Sequence, residues 1–68
     1  MNQANVKQLI SDIIELADEL KVGGANSDLA FGELLAYKTV LKRAQTYTAI
    51  HEQADYGLDF DIDDRYLN

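Results

Sequence analysis

Gly23-Gly24-Ala25-Asn26-Ser27 divides the chain, and the residues on both sides of it repeat apolar side chains at helical spacing, so the reading of this stretch decides the fold. A glycine pair followed by Asn and Ser joins a helix stop to a helix start. Glycine adopts the positive φ that ends a helix without a Cβ clash, and Asn26 or Ser27 can cap the free backbone N–H groups of the next helix. Gly23, directly after the first stripe, is the expected C′ residue. Two helices joined by so short a connector fold back as an antiparallel hairpin.

Upstream of the connector, Val6, Leu9, Ile13, Leu16 and Leu20 alternate spacings of three and four. Ile10 and Ala17 widen that stripe, and Ile14 can broaden the buried face. Asn5, Gln8, Asp12, Glu15 and Glu19 form the opposite, solvated face, and Lys21 complements the helix dipole in the last turn. The spacing predicts a helix over 3–22. It is too short for a coiled coil and reads as a bundle helix.

Downstream, Asp28 stands in an electropositive first turn, and a helix is predicted over about 28–54, with Gly32 a tolerable weakness near its start. Ala30, Leu34, Tyr37, Leu41, Ala44 and Thr48 make its main stripe, flanked by Val40, Tyr47 and His51. Phe31 and Leu35 fall on a separate flank with Lys38 and Lys42, so one partner helix cannot cover both surfaces. At about 1.5 Å per residue the first helix spans roughly 30 Å and the second roughly 40 Å. Tyr47, Ile50, His51 and Ala54 would then project beyond the first helix and need the tail or another subunit to cover them.

At Tyr56-Gly57 the period changes. Leu58-Asp59-Phe60-Asp61-Ile62-Asp63 alternates apolar with acidic residues, the pattern of an extended segment with one buried face. An extended tail is predicted over 56–68, its apolar side docked and its end anchored by Tyr66 and Leu67. A lone strand has no ladder, so that side must lie on the helices, pair across a dimer or await a partner.

The chain has 68 residues, no cysteine and a net charge of −6. That is room for one domain with a marginal core, and neither a disulfide nor a thiolate zinc cage can reinforce it. The acidic balance opposes direct nucleic-acid binding and suits a basic protein surface. Met1-Asn2-Gln3-Ala4-Asn5 lacks the basic and apolar regions of a secretory signal, and no apolar run approaches a membrane span. A cytoplasmic location and no membrane partner are the expectations.

Several clusters invite chemistry. Asp59, Asp61, Asp63 and Asp64 partly match the opening of an EF-hand loop, but Asp64 stands where the loop needs glycine, and the bidentate glutamate is missing. They read as a solvated acidic edge, and no metal or cofactor is expected. His51, the single histidine, lacks a nucleophile signature and is expected to pair with Asp55 one helical turn away. Glu33 shares the apolar side with Tyr37, Val40 and Ala44, where its place near the helix start keeps it wet. Lys38, Lys42 and Arg43 form a small basic patch, better read as a solvated face than as a phosphate site. The glycine pair follows a helix and is a connector rather than a phosphate cradle.

The stretch Phe31-Gly32-Glu33-Leu34-Leu35-Ala36-Tyr37-Lys38-Thr39-Val40-Leu41, with Tyr56-Gly57-Leu58-Asp59 and Ile62-Asp63-Asp64-Arg65-Tyr66-Leu67, resembles small acidic uncharacterised proteins of Gram-positive bacteria and their mobile elements. The resemblance covers roughly the second half. It implies a bacterial cytosolic accessory protein and transfers no activity or functional residue.

The expected fold is all-α, an antiparallel helical hairpin with an extended C-terminal tail, completed as a homodimeric helical bundle. The expected function is noncatalytic protein interaction, through an interface drawn from Phe31, Leu35, Tyr47, Ile50, Leu58, Phe60 and Ile62. The alternative is an acidic inhibitor or mimic that places Asp59, Asp61, Asp63 and Asp64 in the basic groove of a nucleic-acid-binding protein.

Overall fold

A computed structural model describes residues 2–66. The described residues are all-helical, without a strand, and two long helices pack against each other as a hairpin. Helix α1 runs Gln3–Val22. Its start is capped by the Asn2 side chain, whose Oδ1 accepts from the Asn5 backbone N–H at 2.8 Å. Its end is a Schellman motif one residue later than expected. The Ala25 N–H donates to the Leu20 carbonyl at 3.1 Å and the Gly24 N–H to the Lys21 carbonyl at 3.0 Å. Gly24, with φ +85°, is therefore the C′ residue, whereas Gly23 stays helical at φ −70°.

Helix α2 runs Asp28–Tyr47, with Ser27 Oγ accepting from the Ala30 N–H at 3.0 Å. It stops well short of Ala54. The Thr46 and Thr48 hydroxyls donate back to the Lys42 and Ala44 carbonyls at 2.9 and 2.7 Å, a local alternative that weakens a helix end. The Thr48 N–H tightens to the Gln45 carbonyl, and the Gln53 amide donates to that same carbonyl at 3.3 Å. A 3₁₀ turn, Ile50–Glu52, then carries the chain back. Both long helices have 20 residues, so the predicted overhang of a longer second helix does not form.

The return ends in a second Schellman-type turn. The Leu58 N–H donates to the Gln53 carbonyl at 2.8 Å, with Gly57 at φ +71° before it. Beyond it the tail is not extended throughout. Ile62–Arg65 form a short helix, α3, capped by Asp61, whose Oδ1 accepts from the Asp64 N–H at 3.1 Å. Aspartate at an N-cap offsets the helix cost that the alternation implied, because its carboxylate satisfies a free N–H. Leu67, expected as an anchor beside Tyr66, lies outside the described residues.

The core joins Ile10 and Ala17 of α1, Leu34 and Leu41 of α2, and Leu58, Ile62 and Tyr66 of the tail. Ile10 and Ala17, read as the margin of the first stripe, are its centre. Leu9 and Leu16 lie at its edge, 46% and 43% exposed. The tail thus closes one face of the hairpin in cis. Each of its buried side chains contributes roughly 1.5–3 kcal/mol before ordering costs.

Candidate interaction surfaces

The tail-covered face is held by polar contacts that project from the flanks of both long helices. Asp18 of α1 receives Arg65 in a bidentate pair, at 3.1 Å from Nε and 2.6 Å from Nη2, and accepts from the Tyr66 hydroxyl at 2.8 Å. Partial burial opposes ionisation of Asp18, but the hydrogen bonds from Arg65 and Tyr66 and the Arg65 charge outweigh it and hold the carboxyl below its ordinary range. Burial and the bond to Asp18 push the Tyr66 phenol up to about 12. The Arg65 guanidinium also lies 4.9 Å from the Phe60 ring centre, and Phe60 meets Tyr66 edge-on.

On α2, Lys38 and Lys42 converge on Asp63 at 3.1 and 2.9 Å. Their hydrogen bonds, Lys42 foremost, lower the Asp63 pKa. Gln45, one turn on, donates to the Leu58 and Phe60 carbonyls at 2.7 and 2.9 Å. At the far end of α1, Lys7 sits 5.3 Å above the Tyr56 ring.

These contacts redistribute the acidic set. Asp61 caps α3 and Asp63 binds the two lysines, so the basic patch and part of the acidic edge meet inside one chain. Asp59 and Asp64 are exposed. Among the described residues no group of three or more His, Cys, Asp or Glu side chains is placed to hold a metal ion. His51 does not reach Asp55 in a helical pair, because the 3₁₀ turn replaces the helix there. Its Nε2 lies 3.9 Å from Glu52 in the open.

The apolar candidates separate in the same way. Leu58 and Ile62 are buried in the chain's own core and Phe60 is packed against it. Phe31 and Leu35 remain exposed in the α2 row that continues into Lys38 and Lys42, beside the tail. Tyr47 belongs to another row, two turns beyond Val40, and Ile50 projects from the 3₁₀ turn. Phe31, Leu35, Tyr47 and Ile50 therefore do not form one patch.

The face of the hairpin opposite the tail is open. There Leu9 and Leu16 of α1 lie beside Val40 of α2, which is 48% exposed, and Tyr47 extends the band. A shallow groove of about 240 Å³ between the helices is lined by Leu16, Glu19, Leu20, Glu33 and Tyr37. Glu33 is exposed there, as its position near the helix start predicts.

Sequence reasoning missed Asp18, Gln45 and Gln53. Asp18 carried a usable signal, since it sits one turn after Ile14 on the flank of the apolar stripe rather than on the line of Asp12, Glu15 and Glu19. The two glutamines carried none, because their partners are backbone carbonyls of the loop that they help to form.

Among the described residues, no helix is long and apolar enough to cross a membrane. No family model, curated protein or solved structure matches the chain.

Proposed function

We propose that the chain is a noncatalytic protein-interaction module that self-associates. The open face of the hairpin carries this reading. Leu9, Leu16 and Val40 are each nearly half exposed in one band spanning two helices, and Asp12, Glu19 and Arg43 border it. An apolar band with a polar rim is the anatomy of a protein interface, and such contiguous patches on small proteins mark interaction sites. The resemblance of the second half to acidic bacterial proteins supports a cytosolic accessory role. The acidic-mimic alternative began from four aspartates, and the engagement of Asp61 and Asp63 within the chain leaves Asp59 and Asp64 to support it.

Sedimentation velocity from micromolar to millimolar protein tests the reading. A reversible dimer is expected that persists in high salt, because apolar burial is not screened. Leu16→Asp is expected to give a helical monomer, since burying an unpaired carboxylate is costly. A strict monomer across the range would overturn self-association.

A further inference from the structure

We infer that the open face pairs with the same face of a second copy about a two-fold axis perpendicular to the long helices, so that α1 crosses α1 and α2 crosses α2 in antiparallel fashion. The inference rests on the self-association reading and adds its geometry. Three observations converge on one axis. Helices α1, Gln3–Val22, and α2, Asp28–Tyr47, are equally long and antiparallel, so the middle of α1, between Asp12 and Ile13, is level with the middle of α2, between Tyr37 and Lys38. The exposed leucines, Leu9 and Leu16, stand symmetrically about the first midpoint. Rotation about an axis at that level lays Leu9 of each copy on Leu16 of the other.

The same rotation answers the charges of α2. Glu33 and Arg43 lie on either side of the second midpoint, about 15 Å apart along the helix. Glu33 points into the band at the groove with Leu16 and Tyr37, where an unmatched carboxylate would be costly to cover. Antiparallel α2 helices bring Arg43 of the second copy to Glu33 and the reverse, an isologous pairing of a single patch with itself. The alternative two-fold, with α1 of one copy on α2 of the other, sets Leu9 against Val40 and brings Glu19 toward Glu33, two like charges. Asp12 flanks the proposed axis on the outer rim, where its carboxylate stays in water.

The size of the face suits this occupant. A 20-residue helix is about 30 Å long, and two helices side by side present a face roughly 20 Å wide. That gives a footprint of roughly 600 Å² per copy before surface relief, near the lower end of stable protein interfaces.

The absence of cysteine makes register readable by disulfide trapping. Leu9→Cys, Leu16→Cys and Val40→Cys are made singly, mixed in pairs and mildly oxidised, and the products are compared with the dimer seen by sedimentation. The expected result is a cross-link from the mixture of Leu9→Cys with Leu16→Cys and none from Leu9→Cys with Val40→Cys. Arg43→Glu and Glu33→Arg should each weaken the dimer by about tenfold, and the two together in one chain should restore it. A wild-type dimer that cross-links through positions 9 and 40 instead, or through neither pair, overturns this geometry and leaves self-association standing. A dimer whose double charge reversal shows no rescue overturns the Glu33–Arg43 pairing. A strict monomer overturns the reading on which the inference rests, and the inference with it.

Discussion

Asp18 accepts three hydrogen bonds from Arg65 and Tyr66, so one carboxylate of α1 fixes the end of the tail across the widest sequence separation in the fold. Its loss also deprives the buried Tyr66 hydroxyl of the Asp18 acceptor. Asp18→Ala is therefore expected to destabilise by about 2 kcal/mol and Tyr66→Phe by about 1 kcal/mol, read by thermal denaturation. The pH dependence has two limbs. The Asp18 and Asp63 pKa values are lowered in the fold relative to the ordinary 3.8. Their stabilisation is thus fully present above that unfolded value and is lost as pH falls through the lower folded ones. Tyr66 runs the other way. Its phenol is raised from 10.0 to about 12, so its contribution is complete below 10.0 and disappears as pH rises through about 12. Tyrosinate absorbance followed with far-ultraviolet circular dichroism is expected to show an ionisation near 12 coupled to loss of helix, absent from Tyr66→Phe. An acid limb unchanged by Asp18→Asn would show that Asp18 contributes nothing to it.

The elements differ in how far the sequence reveals them, and each difference has a local cause. Helix α1 and the core line of α2 follow from apolar spacing, because burial against one neighbour leaves a one-sided stripe. The end of α2 does not, since no proline or glycine stops it. Threonine hydroxyls and the Gln53 amide compete for its last carbonyls instead. The tail was legible in its burial but not in its conformation. Leu58 and Ile62 are buried as the alternation requires, yet the same alternation concealed Asp61 as an N-cap. The candidate site was least legible, because a period-3.6 pattern names the residues of a stripe without saying which edge a later segment will cover. Leu58 and Phe60 were candidates for a contact between chains, and Leu9 and Leu16 were assigned to the core. Two substitutions separate capping from charge in the tail. Asp61→Ala is expected to cost about 1 kcal/mol through loss of the cap, whereas Asp59→Ala, at an exposed position with the same charge, should stay within about 0.5 kcal/mol. Equal effects in chemical denaturation would assign the tail's stability to net charge rather than to α3.

At the scale of the whole molecule, a hairpin of two helices has two broad faces, and the tail closes one of them. The closed face brings Leu58, Ile62 and Tyr66 into contact with α1 and α2 and anchors them with Asp18, Lys38, Lys42 and Gln45, so it belongs to the fold. The open face has the same hairpin architecture but keeps Leu9, Leu16 and Val40 in partial contact with water, so any stability that it supplies depends on a second surface and therefore on concentration. The two faces then predict different melting behaviour. In a self-associating chain, raising the protein from below the dimer dissociation constant to about a hundredfold above it adds roughly 2.7 kcal/mol, which for a domain of this size raises Tm by about 10–20 °C. Leu16→Asp should abolish that dependence while leaving the low-concentration Tm nearly unchanged. Leu58→Ala should instead lower Tm at every concentration, by the roughly 2–5 kcal/mol of a cavity in a closed core, and leave the slope with concentration intact. Calorimetry over a concentration series reads both quantities at once. If Leu16→Asp lowers Tm at high dilution as strongly as Leu58→Ala does, the open face is part of the monomer's core and the division between folding face and binding face is wrong.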